Sequence, residues 1–192
     1  MKQGERERRF EALFEAYGAD VVAYCSWRAG SASDAQDAAA EVFLTAWRRL
    51  DDVPRRDAGR VWLYGTARRV LANQRRSTRR RASLAERIAL TAQPEPPTDE
   101  PEDSLVHQAL RQLNPIDQEV LLLSEWEGLS PAQIASVLRC QKVTARGRLH
   151  RARRRFRSAF EELLAGEENE RHSRSSLELP ATSVTHVVGG GS

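Results

Sequence analysis

The sequence predicts an all-α protein made of two small helical domains joined by a flexible, acidic, proline-rich linker. Apolar residues recur at three- and four-residue steps over most of the chain, as they do on one face of a helix, and no segment has a convincing strand pattern. The composition changes in residues 93–103, QPEPPTDEPED, which cannot build a core. A chain of 192 residues accommodates two such domains, each near the lower size limit for a self-sufficient core.

A stripe of apolar side chains predicts a first helix that ends near Gly30. The stripe comprises Phe10, Leu13, Phe14, Tyr17, Val21, Tyr24 and Cys25. Ser33, with Gln36 three residues later, predicts a capping box at the start of the second helix.

The second helix carries an apolar stripe that runs from Ala35 to Leu50. Another face of this helix holds three carboxylates, Asp34, Asp37 and Glu41. These acids form either a solvated face that suits the helix dipole or a surface for a partner.

The third helix is predicted to start near Arg60, because Pro54 and Gly59 interrupt the periodicity and make residues 51–59 a loop. Its outward face is a basic stripe interleaved with small residues, namely Gly65, Arg68, Arg69, Ala72 and Arg76. Small residues at these positions would let a backbone or a phosphate approach closely.

The helical patterns also set the expected domain boundaries. They are a first domain at 8–85, a linker at 86–103, a second domain at 104–165 and a disordered tail at 166–192 that ends in GGGS. Within the second domain, Asn114 with Pro115 and Ser130 with Gln133 predict helix starts, and Gly128 predicts a helix end.

A helix-turn-helix is predicted from Leu129, with a turn near Arg139 and a second helix from Lys142. The inward side of the second helix comprises Ala145, Leu149, Ala152, Phe156 and Phe160. Its outward side is basic and sized for a major groove, with base-reading positions near its N-terminal end. The alternative is a solvated charge run at the end of a bundle, which the lack of any carboxylate in residues 139–157 disfavours.

Basic residues are concentrated in two segments, 60–81 and 139–157, although the formal net charge is only +3. Neither segment contains a carboxylate. Two basic surfaces joined by an acidic linker predict a protein that grips a long polyanion at two separated points.

Several function classes are disfavoured. The histidines and the two cysteines, Cys25 and Cys140, have no metal-ligand spacing, so neither a metal nor another cofactor is expected. An enzyme is not expected either, because the sequence shows neither clustered carboxylates for a metal nor a nucleophile beside a base. The sequence has no run of about 18 apolar residues and no apolar signal core. Membrane insertion is therefore not expected, and a cytoplasmic location is expected.

Three stretches of sequence carry a family resemblance. They are DAQDAAAEVFLTAWRRL at 34–50, RVWLYGTARRVL at 60–71 with the arginine-rich sequence after it, and LNPIDQEVLLLSEWEGLSPAQIASVL with RGRLHRARRR within 113–155. In this order around a short linker, they resemble regions 2 and 4 of a bacterial sigma-70-family factor of the extracytoplasmic-function (ECF) group. The resemblance covers about residues 10–164, and regions 1.1 and 3 of larger sigma factors have no counterpart, as in the ECF group.

The resemblance implies a factor that binds core RNA polymerase and directs promoter-specific transcription initiation. The β′ clamp helices would receive the acidic second helix through Asp34, Asp37 and Glu41, and the β flap and promoter DNA would be further partners. Recognition and melting of the −10 element would fall to Arg60, Trp62, Arg68, Arg69, Asn73 and Arg76. Recognition of the −35 element would fall to Gln141, Lys142, Thr144, Arg146, Arg148 and Arg151. An anti-sigma factor is the remaining partner that the resemblance implies.

Some positions depart from the family pattern. Members often carry Asn where this chain has Arg69 and Asp where it has Asn73, so a different −10 preference is expected. Family members usually carry Gly at the position of Arg139 and a small residue at the position of Val143. Arg139 would hold a positive φ only with backbone strain.

The competing interpretation is a helix-turn-helix regulator that is not a polymerase subunit. It leaves the acidic second helix and the basic segment 60–81 unexplained.

Overall fold

The computed structural model describes residues 3–88 and 104–177, with side chains for 3–80, 104–169 and 171. Within these ranges the α-helices are α1 Gln3–Ser26, α2 Ala32–Arg48, α3 Asp57–Ile88, α4 Leu105–Gln112, α5 Pro115–Glu125, α6 Pro131–Leu138 and α7 Lys142–Leu177. A short 3-10 turn, Leu50–Asp52, precedes α3. The described ranges contain no strand, and the all-α prediction is confirmed.

The first half of the molecule, residues 3–88, is a bundle of α1, α2 and α3. The apolar stripe of α2 is buried as predicted, because Ala38, Val42 and Ala46 face the other two helices. Aromatic rings close one end of the bundle, where Phe10 lies edge-on to Trp47 at 5.3 Å between ring centroids. The half therefore presents the opposite, acidic side of α2 to solvent.

Two helix starts in this half differ from the predictions. The predicted capping box at Ser33 is wrong: the cap of α2 is Ser31, whose extended backbone lets its hydroxyl accept the Asp34 N–H, and Ser33 is already helical. α3 starts at Asp57 rather than near Arg60. Gly59 lies in its first turn, where a Cβ atom would stand 2.8 Å from the Pro54 carbonyl oxygen. This glycine permits a close approach of the loop rather than ending a helix.

The second half, residues 104–177, follows the predicted helix starts. Asn114 accepts hydrogen bonds from the first turn of α5, and Ser130 forms a reciprocal capping box with Gln133 at the start of α6. Arg139, the C-cap of α6, has the left-handed conformation with φ 52°, and Gly128 has φ 63°. The turn that the sequence predicted thus requires positive φ at a non-glycine residue, which carries backbone strain.

Two predicted boundaries need correction. The predicted linker started at residue 86, but α3 continues to Ile88, and residues 89–103 lie outside the described residues. The predicted disordered tail started at residue 166, but α7 continues to Leu177. The extension contains no proline, and an Arg171–Glu167 ion pair at 2.7 Å links successive turns. Residues 178–192 lie outside the described residues.

The two halves pack against each other, which the sequence did not predict. α6 lies on α3, and buried side chains of both halves form one continuous core cluster. The approach is close at Gly65, where a Cβ atom would stand 4.0 Å from the Cα atom of Val137. The small residue that was expected to admit a phosphate or a backbone therefore faces the backbone of α6.

Candidate nucleic-acid interface

The acidic face of α2 is exposed. Asp34, Asp37 and Glu41 all have exposed side chains, and the Asp34 carboxylate accepts a hydrogen bond from the Ser31 hydroxyl at 2.9 Å. Glu41 forms a long ion pair with Arg48 at 3.7 Å, with both side chains about half exposed or more. Such a pair contributes little free energy, so the carboxylate is accessible to a cationic partner. The structure brings the three predicted residues together on one surface.

Some basic residues of α3 are exposed to solvent, and others contact the second half of the molecule. Asn73 and Arg76 are exposed and hydrogen-bonded to each other. Arg60 instead donates to the Glu127 carbonyl oxygen at 2.9 Å and lies 3.6 Å from the Asp20 carboxylate. One end of the predicted −10 surface is therefore open and the other is engaged by residues of the second half.

Trp62 and Arg69 line a cleft of about 580 Å³ between α3 and α6. Arg49 and Arg139 line the same cleft, and Arg69 donates to the Thr66 hydroxyl at 2.9 Å. Burial lowers the pKa of the Arg69 guanidinium, and the positive charges of Arg139 and Arg49 lower it further. The cleft therefore concentrates positive potential, as a site that faces nucleic-acid phosphates requires.

Arg68 faces a second, smaller cavity of about 200 Å³ between the halves, together with Tyr24 and Glu119. Of the predicted −10 residues, the structure thus places Arg60, Trp62, Arg68 and Arg69 at the contact with the second half. Arg68 and Arg69 belong to the predicted basic stripe, whereas Arg60 and Trp62 lie outside it. Their accessibility in this arrangement is lower than the sequence suggested.

A buried polar cluster joins the halves beside this contact; it comprises Tyr24, Arg28, Tyr64, Glu119 and Glu127. Arg28 donates through Nε to Glu119 at 2.7 Å, and its Nη1 lies 3.7 Å from Glu127. The hydroxyls of Tyr24 and Tyr64 donate to Glu119 and Glu127 respectively, each at 2.6 Å. The Nη2 atom of Arg28 is buried and has no hydrogen-bond partner among the described residues.

Burial controls the proton affinities in the polar cluster. It raises the pKa of Tyr24, and Glu119 raises it further by charge and by hydrogen bonding. It also raises the pKa of Tyr64, whose hydrogen bond to Glu127 acts in the same direction. The pKa of the Glu127 carboxyl is raised because burial outweighs the opposing effects of Tyr64 and Arg28. Both tyrosines therefore remain neutral hydrogen-bond donors.

Sequence reasoning missed the polar cluster. Glu119 lies 91 positions from Arg28 in the sequence, so no local pattern links the two residues. One signal was available: Tyr64 and Leu71, seven positions apart on α3, lie on one face beside the predicted basic stripe, and both are buried. Apolar residues next to a basic stripe indicate that a further element packs there.

The predicted −35 residues lie together at the start of α7. Gln141, Lys142, Arg146 and Arg151 are exposed, whereas Thr144 and Arg148 are half-buried. Gly147 sits beneath the Arg151 side chain, because a Cβ atom there would stand 3.5 Å from its Nη1. The face is therefore basic, compact and open to solvent at its N-terminal end.

Further along α7 the basic residues are partly neutralised. Arg153 donates to Glu125 at 2.7 Å, and Arg155 pairs with Asp117, which is buried. Carboxylates of α5 thus neutralise arginines of segment 139–157, which contains no carboxylate of its own. Arg155 is exposed, and its ion pair with Asp117 also anchors α7 to α5.

The described residues contain no group of three or more His, Cys, Asp or Glu side chains that could hold a metal ion. Both cysteines are free; Cys25 is buried as predicted and Cys140 is half-buried. No helix in the described ranges is long and apolar enough to cross a membrane.

Comparisons with known proteins agree with the division into two halves. Residues 13–81 match the family described as Sigma-70 region 2, and residues 104–156 match the family described as Sigma-70, region 4. Both are regions of sigma factors, a class of transcription initiation factor. The chain is 31% identical over 160 residues to the ECF RNA polymerase sigma factor SigL of Mycobacterium tuberculosis, a match that covers 79% of this chain and 89% of SigL. The chain therefore belongs to the ECF group of the sigma-70 family.

Solved structures show the same fold. The sigma factor RpoE from Bartonella quintana, crystallised with the anti-sigma factor NepR, superposes with a TM-score of 0.65 at 19% identity, over 79% of this chain and 96% of that chain. CnrH, in complex with the cytosolic domain of CnrY, gives a TM-score of 0.59 at 23% identity, over 81% of this chain and 90% of that chain.

Proposed function

We propose that this chain binds core RNA polymerase and directs promoter-specific initiation by recognising −10 and −35 elements and melting the −10 element. The observation that carries the proposal is the pairing of an exposed acidic face on α2 with basic faces on α3 and α7. These surfaces occur in a chain that matches regions 2 and 4 in the family's order. A polymerase subunit needs both kinds of surface, whereas a free-standing regulator needs only the second.

For polymerase docking we assign Asp34, Asp37 and Glu41 to the β′ clamp helices and the second half to the β flap. The carboxylates lie opposite the buried stripe of α2, so they can meet cationic groups without disturbing the core. This assignment accounts for the acidic face, which the fold itself does not require.

For the −10 element we assign the basic side of α3 within a region 2 domain at 8–85. Guanidinium groups would hold the phosphates of the single strand, and the Trp62 indole, at the edge of the cleft, offers a surface on which an unstacked base could stack. Arg60, Arg68, Arg69, Asn73 and Arg76 would supply the polar contacts.

For the −35 element we assign the N-terminal part of α7 within a region 4 domain at 104–165. Exposed Gln141, Lys142, Arg146 and Arg151, with Thr144 and Arg148 beside them, are suited to base edges and phosphates in the major groove. Arg139 at the turn holds α6 and α7 in the geometry of a helix-turn-helix.

An anti-sigma factor is the remaining proposed partner. Support comes from the two structural neighbours, RpoE and CnrH, each of which was solved with a second protein bound: the anti-sigma factor NepR and the cytosolic domain of CnrY. We place the action of the chain in the cytoplasm, where core polymerase and chromosomal DNA are found.

The function is tested by selecting promoters from a randomised DNA library with core polymerase and the full chain. We expect run-off transcripts that depend on the chain, from templates that share two sequence elements at a fixed spacing. Recovery of templates with only one element, bound equally well without polymerase, would favour the regulator interpretation. Failure to recover any chain-dependent template would overturn the proposal.

A further inference from the structure

Among the large apolar residues that the structure describes, Val143 is the most exposed. It is 71% exposed, whereas Phe14, the next in order, is 52% exposed and lies edge-on to Phe43 at 4.9 Å between ring centroids. A branched apolar side chain in water loses the hydrophobic free energy that burial would provide. The packing of the described helices therefore does not account for the valine at this position.

The position of Val143 on α7 directs it away from the body of the protein. Successive residues of an α-helix turn by about 100°, so Val143 lies roughly opposite the buried residues Ala145, Leu149 and Ala152. It is also the second residue of α7 and thus belongs to the N-terminal end, where a recognition helix contacts base edges. On a helix seated in a major groove, Val143 would point at the floor of the groove.

The charges around Val143 favour DNA over an apolar protein partner. Lys142 precedes it and Arg146 lies about one turn further along the helix, and both side chains are exposed. Segment 139–157 contains no carboxylate that would repel a phosphate. The exposed valine is therefore set in a basic surface, as an apolar base contact between phosphate contacts would be.

The helix surface beyond Val143 has a low profile. Gly147 follows four residues later on the same side, and a Cβ atom added there would stand 3.5 Å from Nη1 of Arg151, the end of a flexible side chain. A glycine at this point leaves nothing of its own to hold the helix away from a partner. The helix can therefore enter a groove deeply enough for a side chain as short as valine to reach a base.

The chemistry of Val143 selects one feature of the groove. A valine side chain carries two methyl groups and no hydrogen-bonding atom, so it cannot read the donors and acceptors of the base edges. Thymine alone presents an apolar group in the major groove, its C5-methyl group. Contact between the valine and this methyl group removes apolar surface of both from water.

We propose that Val143 is a specificity-determining residue of the −35 surface and contacts the C5-methyl group of one thymine in the −35 element. This inference rests on the proposed function, because it uses the assignment of α7 to the −35 element. It goes further by naming the chemical group that is read and the residue that reads it.

Replacing thymine by uracil tests the inference, because deoxyuridine lacks only the C5-methyl group and keeps the same donors and acceptors. On a promoter recovered in the selection, each thymine of the −35 element, on either strand, is replaced in turn. At limiting chain concentration, we expect one replacement to slow run-off transcription by about fourfold, equivalent to about 0.8 kcal/mol for one buried methyl group. Equal rates on all templates would overturn the inference, as would a −35 element without thymine.

Val143→Ala completes a double-mutant cycle. Alanine is compatible with the helix and too short to reach the methyl group. The variant should lose about fourfold on the thymine template and nothing more on the sensitive uracil template. Val22→Ala is the matched control, since Val22 is a 44% exposed valine of α1 outside the proposed binding surfaces, and it should behave as the wild-type chain does. An undiminished uracil effect in Val143→Ala would assign the methyl contact to another residue and overturn the inference.

The two proposals fail in distinguishable ways. Substitution of whole base pairs in the −35 element reports whether the chain reads this element at all. If no template gives chain-dependent transcripts with core polymerase, the proposed function fails and the inference with it. If base-pair substitutions change transcription but uracil does not, the function stands and only the role of Val143 is overturned.

Discussion

Arg28 places a guanidinium inside the contact between the two halves, where it meets Glu119 at 2.7 Å and Glu127 at 3.7 Å. Removing one partner of a buried charge cluster leaves the others desolvated and uncompensated, at a cost of about 3–5 kcal/mol. The Arg153–Glu125 pair is a useful contrast, because its side chains are 54% and 44% exposed. An exposed pair of that kind is worth about 0–1 kcal/mol.

We therefore predict that Arg28→Ala destabilises the chain far more than Arg153→Ala does. Arg28→Ala should lower the free energy of unfolding by about 3–5 kcal/mol, whereas Arg153→Ala should lower it by less than about 1 kcal/mol. Urea unfolding followed by circular dichroism measures both changes. Similar effects of the two substitutions would mean that the polar cluster does not hold the halves together.

The Glu127 carboxyl should give the contact a pH dependence. Its pKa is raised by burial and by Asp20, against the opposing effects of Tyr64, Arg28 and Arg60. A raised carboxyl pKa means that the folded chain keeps a proton that the unfolded chain has lost. The associated stability is present below the ordinary glutamate pKa and is lost as the pH rises through the raised value.

Relative to Glu127→Gln, which cannot titrate, the wild-type chain should lose free energy of unfolding as the pH rises from about 4.3. Urea unfolding at a series of pH values measures the difference. Glu125→Gln is the control with opposite sign, because hydrogen bonding to Arg153 lowers the pKa of Glu125, so that its stabilisation is lost as the pH falls. A pH-independent difference for Glu127→Gln would contradict the burial of an ionisable carboxyl at this contact.

At the scale of single helices, α2 and α7 each separate a buried side from an exposed one. The buried side of α2 is small and apolar, and its exposed side carries the acids. α7 buries Ala145, Leu149 and Ala152 and exposes its bases. Charge on either exposed face can be changed without altering the core, so binding and stability can be tested separately.

For α2 we predict that Asp37→Arg with Glu41→Arg abolishes binding to core polymerase while helix content stays intact. Exposed substitutions of this kind usually change the free energy of unfolding by only about ±0.5 kcal/mol. A pull-down with core polymerase and a circular dichroism spectrum are the measurements. Glu161→Arg with Glu162→Arg is the matched control and should bind normally. Unchanged binding by the α2 variant would remove the docking assignment.

For α7 we predict that Arg148→Ala and Arg151→Ala each weaken promoter use through the −35 element. Loss of a bidentate base contact should cost about 1–3 kcal/mol and relax preference at one position, whereas loss of a phosphate contact should weaken all sequences alike. Run-off transcription on a panel of −35 variants separates the two cases. Arg153→Ala is the control, since that side chain is paired with Glu125. No effect from either substitution would argue against placing this helix in the groove.

Helix identity was predictable from the sequence because burial of one face imposes the three- and four-residue period on α1, α2 and α7. The ends of the helices were less predictable. Ser31 and Ser33 both carry a capping hydroxyl, and only the backbone conformation of Ser31 decides between them. The exposure of the acidic residues of α2 and of the basic residues of α7 could be predicted from the same periodicity, because residues opposite a buried stripe face solvent.

The packing of the halves was not predictable from periodicity. It depends on Arg28 meeting Glu119, a pairing across 91 positions that no local pattern encodes. The covering of Arg60, Trp62 and Arg69 follows from that packing, so the sequence indicated which side of α3 is basic but not what lies over it. Tyr64 was the available local signal, because a buried tyrosine beside the predicted stripe needs a partner for its hydroxyl.

At the scale of the whole molecule, the two proposed DNA-binding surfaces differ in accessibility. The α7 residues proposed for the −35 element are largely exposed, whereas Trp62 and Arg69 of α3 line the cleft against α6. Each proposed surface is small, and we expect core polymerase to fix the spacing between them. The isolated chain should therefore bind duplex promoter weakly, with strong salt dependence and little sequence preference.

Under the proposed function, promoter opening requires both this chain and core polymerase. Permanganate footprinting on a selected promoter measures it, because unpaired thymines become reactive when the −10 element melts. We predict reactive −10 thymines only when core polymerase and this chain are both present, and none with either one alone. Tight, sequence-specific duplex binding by the chain alone, without polymerase-dependent thymine reactivity, would contradict the account and identify a free-standing regulator.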